Sequence, residues 1–76
     1  MIRIDARDLE PPEPFERVME ALSELEPGGE ILLILNREPA PLYRVLERNG
    51  YRWDTTRFDD GRFEILIREK RAPGRD

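Results

Sequence analysis

The chain has 76 residues, 39% of them charged, a net charge of −4, and neither cysteine nor histidine. That length suits one small domain and leaves no room for two cores, and a chain this short buries only about 60% of its unfolded surface. Disulfides and thiol or imidazole chemistry are excluded outright, and a metal site would need carboxylates alone, so no metal and no cofactor is expected.

Ile2 and Ile4 alternate with Arg3, which predicts a short first strand with one buried face. Turn-forming residues from Asp5 to Glu10 end it. Pro12 and Pro14 fit the first turn of a helix, where backbone N–H groups lack partners anyway. Phe15, Val18, Met19, Leu22 and Leu25 follow at helical spacing and form the expected apolar stripe, and Pro27-Gly28-Gly29 stops the helix. Ile31 to Leu35 is an unbroken apolar run whose length and flanks predict a central strand with both faces at least partly covered.

Pro39 and Pro41 bracket the start of a second helix with Leu42, Val45 and Leu46 inward, and Asn49-Gly50 ends it. Tyr51, Trp53 and Thr55 alternate with Arg52, Asp54 and Thr56 as a half-buried strand. Asp59-Asp60-Gly61 reads as a hairpin turn, and Phe63, Ile65 and Ile67 alternate with Glu64, Leu66 and Arg68 in a last strand. The order β-α-β-α-β-β predicts an α+β fold: a two-layer α/β sandwich with a four-stranded mixed sheet and both helices on one face. Residues 1–69 are expected to form the domain and 70–76 a flexible C-terminal tail.

Charge is uneven along the chain. Residues 1–30 hold nine acids against three arginines, a net −6, while residues 31–76 hold ten basic groups against eight acids, a net +2. Lys70 is the only lysine, glutamine is absent, and asparagine occurs only at Asn36 and Asn49. A thermophile that avoids labile residues has such a composition, and so does a GC-rich genome. An acidic chain leaves no strong footprint for nucleic acid, and Arg37, Arg44, Arg48 and Arg52 read more simply as a solvated, ion-paired surface than as an RNA contact. Met1-Ile2-Arg3 leads straight into alternating sequence without a signal-peptide pattern, and no apolar run approaches the roughly 18 residues of a membrane span. A cytoplasmic protein of a bacterium or archaeon is the expectation.

The stretch Asp5-Ala6-Arg7-Asp8-Leu9-Glu10-Pro11-Pro12-Glu13-Pro14 resembles the TusA/SirA-like sulfur carriers, in which a Cys-Pro-x-Pro motif opens the first helix. Pro12-Glu13-Pro14 supplies the Pro-x-Pro, but Pro11 takes the cysteine's place. Proline cannot replace a thiolate nucleophile. Together with Leu25-Glu26-Pro27-Gly28-Gly29-Glu30 and Asn36-Arg37-Glu38-Pro39-Ala40-Pro41-Leu42, the chain is more similar still to a cysteine-less branch of that group, the bacterial domain of unknown function 2249. The resemblance spans about residues 2–69 and implies the same element order. In that branch a histidine usually stands where this chain has Arg37, so a metal or proton role there is not carried over. What the resemblance implies for function is a docking surface around the start of the first helix, without persulfide transfer.

Three sets of residues are candidates for function. Asp5, Arg7, Arg37 and Glu38, with Glu13 at the helix start, are expected near one another if the first two strands lie side by side. Such a cluster could bind a polar small molecule or carry out acid–base chemistry as an enzyme or ligand carrier, although a loop-fixing ion-pair network is the plainer reading. On the sheet face away from the helices, Leu32 and Ile34, or else their alternates, join Leu66 as an apolar strip rimmed by charge that includes Arg52. A partner protein or a second copy is expected to dock there. The first helix's N-terminus is an unpromising anion site, since Pro12 and Pro14 lack donors and Glu10 and Glu13 are acidic. Tyr51 and Trp53 are expected in the core rather than as a stacking platform, and the leading expectation is a small non-catalytic protein-interaction module tied to sulfur or redox metabolism.

Overall fold

The computed structural model describes residues 1–70. Its elements are β1 (Ile2–Asp5), α1 (Glu13–Glu24), β2 (Glu30–Leu35), α2 (Ala40–Arg48), β3 (Tyr51–Arg57) and β4 (Phe63–Glu69). The sheet order is β1-β2-β4-β3, with β1 parallel to β2 and the other two pairings antiparallel. The predicted mixed four-stranded sheet is therefore present, and β4 lies between β2 and β3.

Both helices cover one face of this sheet. Ile4, Ile31, Leu33, Leu35, Ile65 and Ile67 point into that layer and meet Val18 and Ala21 of α1 and Leu42 and Leu46 of α2. Val18, Ile31, Leu46, Ile65 and Ile67 are fully buried, and each such aliphatic side chain contributes about 1.5–3 kcal/mol relative to exposure. Trp53 packs at the edge of this core, its ring stacked on Tyr43 of α2 at 4.9 Å and 7°.

Local chemistry explains the helix bounds. Pro12 caps α1 and Pro14 follows inside its first turn, where Glu13 and Glu16 complement the helix dipole. Glu13 also pairs with Arg17 one turn on, at 3.3 Å. Val18, Met19, Leu22 and Leu25 of the expected stripe pack on the core, and Phe15 is the exception. Val18 and Ala21 carry the buried face, whereas Phe15, expected inside, is 40% exposed. At the end of α2, Asn49 donates its side-chain amide to the Val45 carbonyl at 2.7 Å, and Gly50 takes the left-handed conformation that ends the helix (φ +82°).

The Asp59-Asp60-Gly61 turn joins β3 to β4, with the Phe58 N–H donating to the Arg62 carbonyl at 2.8 Å and Gly61 at φ +89°. Asp60 accepts from the Arg62 N–H at 2.9 Å, so this carboxylate serves the turn. Lys70, placed by the sequence in the tail, is tied down: its N–H donates to the Gly50 carbonyl and its ammonium reaches Glu47 at 2.7 Å. The rest of the expected tail, 71–76, lies outside the described residues.

Candidate functional site

The parallel strands β1 and β2 end side by side, with Asp5 opposite Ile34. From there the chain runs into α1 on one side and α2 on the other, and each helix begins with Pro-x-Pro: Pro12-Glu13-Pro14 and Pro39-Ala40-Pro41. A cleft of about 470 Å³ opens between the two starts. Its buried floor is Ala6, Leu33, Leu35 and Leu42; Leu9, Pro11, Pro12, Pro14 and Phe15 form the α1 wall, and Asn36 to Pro39 with Pro41 form the α2 wall. The outer ends of parallel strands are a usual place for ligands, and this volume lies in the range of small-ligand sites.

The cleft is apolar for a reason that lies in the prolines. Four of the residues at the two helix starts have no N–H. The neighbouring donors are taken: Glu13 bonds the Glu10 carbonyl at 2.9 Å, Ala40 the Glu38 carbonyl at 3.1 Å, and Leu42 the Pro39 carbonyl at 2.9 Å. Helix starts that usually cradle anions are here closed to them.

The expected polar cluster separates into pairs. Arg7 grips Asp5 through two guanidinium contacts of 2.9 and 2.6 Å, and its backbone N–H adds a third at 3.3 Å. The guanidinium and that N–H hold the Asp5 carboxyl down at about 2. Asn36 donates to the Arg7 carbonyl at 3.2 Å and ties the two strand-end loops together. Glu38 turns to the Tyr43 hydroxyl at 3.2 Å, which also meets Thr55 at 2.6 Å; burial, foremost, pushes the Tyr43 phenol up. Glu13 is occupied by Arg17. Arg37 stands at the cleft wall, exposed, with no ion pair among the described residues. Thus Arg7, Arg37 and Glu38 do share the cleft, while Asp5 and Glu13 do not line it.

Sequence reasoning missed Leu9, Phe15, Asn36 and Leu42 as site residues. The signal was available in the two Pro-x-Pro helix starts, each placed after one of two adjacent parallel strands. It also missed a second, shallow groove that continues from Pro11 and Pro12 along the outer side of α1. That groove is lined by Glu10, Glu13, Glu16, Glu20 and Arg17.

The open sheet face carries the strip predicted for it, in reduced form. Leu32 lies directly beside Leu66, and the rung is flanked by Arg3 and Asp54. Ile34 shares this face but is only 1% exposed, between the rung neighbours Asp5 and Glu64, so it offers no surface. Arg68 bridges toward Glu30 and Asp54 at 3.6 and 3.8 Å, and Arg62 joins Asp60 and Glu64, each at 3.1 Å. Arg52 sits across from Arg68 at the rim. The arginines of the second half do not form one face: Arg37 lies on the cleft, Arg52 on the open face, and Arg44 and Arg48 beside Tyr43 and Trp53. Among the described residues no three His, Cys, Asp or Glu side chains are grouped to hold a metal ion, and no helix is long and apolar enough to cross a membrane.

The fold is that of the SirA-like proteins. Residues 3–69 match the family described as uncharacterized conserved protein (DUF2249), and the chain belongs to that family. The crystal structure of a SirA-like protein from Desulfitobacterium hafniense is similar, with a TM-score of 0.78 at 30% identity over 88% of this chain and 95% of that one. No curated protein matches the chain. It is thus a SirA-like domain without a cysteine, and Pro11 lines the cleft.

Proposed function

We propose that this chain is a non-catalytic interaction module that docks a partner protein over the strand-end cleft, where sulfur-carrying relatives present a thiol. The lining of the cleft carries the reading. It has the size and apolarity of a binding site, and among the described residues its ionisable groups are Arg7, Arg37 and Glu38. An arginine keeps its proton at neutral pH, and Glu38 is already bonded to Tyr43, which leaves no nucleophile or poised base. This same division into pairs weighs against an enzyme or ligand carrier built on Asp5, Arg7, Arg37 and Glu38. A link to sulfur or redox metabolism would run through the partner rather than through chemistry on this chain. The module would act in the cytoplasm, away from membranes and nucleic acid.

Capture from a lysate of the source organism tests the reading when run in parallel with two variants, one at exposed Phe15 and one at half-buried Leu66, each checked for its fold by circular dichroism. The partner should be retained by Leu66→Asp and lost by Phe15→Asp; loss in Leu66→Asp alone would move the docking site to the sheet face. Incubation with a persulfide donor should leave the mass of the chain unchanged, and a sulfur adduct would overturn the non-catalytic assignment.

A second reading keeps the sheet face as the site and a second copy as the partner. The rung Arg3-Leu32-Leu66-Asp54 has opposite charges at its ends. A copy turned over about an axis along the strands would set Arg3 against Asp54 and leucine against leucine. Sedimentation equilibrium decides: a dimer abolished by Leu66→Asp supports it, and a monomer at high concentration removes it.

A further inference from the structure

We infer that the segment this cleft takes from its partner is apolar and basic, with one large apolar side chain between the helix starts and lysine or arginine along α1. The inference rests on the cleft being the docking site and adds the chemistry of what docks. Phe15, an exposed large apolar side chain, stands at the cleft wall, so the surface is already prepared for an apolar contact. Beyond Pro11 and Pro12 the cleft passes directly into the groove along α1, where Glu10, Glu13, Glu16 and Glu20 face a single arginine. Arg17 is spent on Glu13, which leaves the other three carboxylates without an ion pair among the described residues. Glu16 and Glu20 are one helical turn apart, about 6 Å, inside the Debye length, so their fields add at physiological salt. A basic stretch laid along α1 would be drawn to this row and an acidic one repelled. Arg37 on the opposite cleft wall disfavours basic charge between the helix starts, so the segment is held in one direction with its apolar side chain in the cleft.

The probe is a random peptide library displayed on phage and panned against the full chain at low salt. The expected consensus pairs an aromatic or large aliphatic residue with nearby lysine or arginine. The synthesised consensus peptide should shift the amide resonances of Leu9, Phe15 and Leu42 together with those of Glu16 and Glu20. Its affinity should fall roughly five- to tenfold in Glu16→Gln/Glu20→Gln, and fall again as salt is raised. Both glutamates are exposed, and circular dichroism of the variant confirms that the fold is kept. A consensus that maps to the cleft but is acidic or uncharged overturns the inference and leaves cleft docking intact. No enriched peptide that perturbs the cleft overturns both. Self-association that shifts the same resonances makes a second copy the occupant and overturns the inference as well.

Discussion

Two surfaces of this domain expose apolar side chains, and they are built in opposite ways. On the open sheet face, Leu32 and Leu66 lie within a lattice of charge, with Arg68 reaching across them between Glu30 and Asp54 and with Ile34 sealed beneath its neighbours. In the strand-end cleft Asp5 takes Arg7, Tyr43 takes Glu38, and the prolines lack N–H groups, which leaves Arg37 as the one unpaired charge among its described lining residues. The first surface is laced by ion pairs among its own side chains, whereas the second is an apolar hollow that no described side chain fills. The difference teaches where to look for a partner, since exposed apolar area is informative only when its surroundings do not already account for it.

The strongest way to sharpen this comparison uses two adjacent residues that point to opposite faces. Ile65→Ala should cost about 2–5 kcal/mol in urea unfolding, while Leu66→Ala should cost about 1 kcal/mol or less. Equal costs would mean that the open face is covered in solution. Next, Phe15→Ala should change stability by less than about 1 kcal/mol, as exposed sites do, yet remove partner binding in a titration. A large loss of stability with binding retained would make Phe15 a core residue. Tyr43→Phe should cost about 1 kcal/mol by removing the hydroxyl that holds Glu38 and Thr55, measured in the same unfolding assay. The smallest effect concerns pH. With its carboxyl held at about 2, against 3.8 ordinarily, Asp5 contributes stability that is fully present above 3.8 and is lost as pH falls toward 2. The stability gap between wild type and Asp5→Asn should therefore close over that window, and a gap that stays constant would show that the Arg7 clamp does not persist in solution.

Much of the fold is legible in the sequence because its signals are local. Proline pairs and Asn49-Gly50 mark helix ends, and period-two alternation marks β3 and β4. The face of Leu32 and Ile34 is not legible, because the run Ile31–Leu35 is apolar throughout and only the pairing with β4 assigns its sides. The exposure of Phe15 is not legible either: it sits at helical spacing with Val18, Met19 and Leu22, which do pack on the core, but it lies in the first turn, at the open cleft wall. The polar cluster was legible as a neighbourhood but not as a set of partners. The pairs that form are local, Asp5 with Arg7 two residues on and Glu13 with Arg17 one helical turn on, whereas Glu38 turns away to Tyr43, so the five residues do not close into one cluster. The acidic row on α1 was visible as charge at helical spacing, and it gained meaning only beside the cleft.

Site-specific photo-cross-linking in cells of the source organism tests the central claim most directly. A photoactivatable phenylalanine analogue is placed at Phe15 in one strain and at Leu66 in another. The account predicts a cross-linked partner protein from position 15 and none from position 66; an adduct from position 66 alone would contradict it.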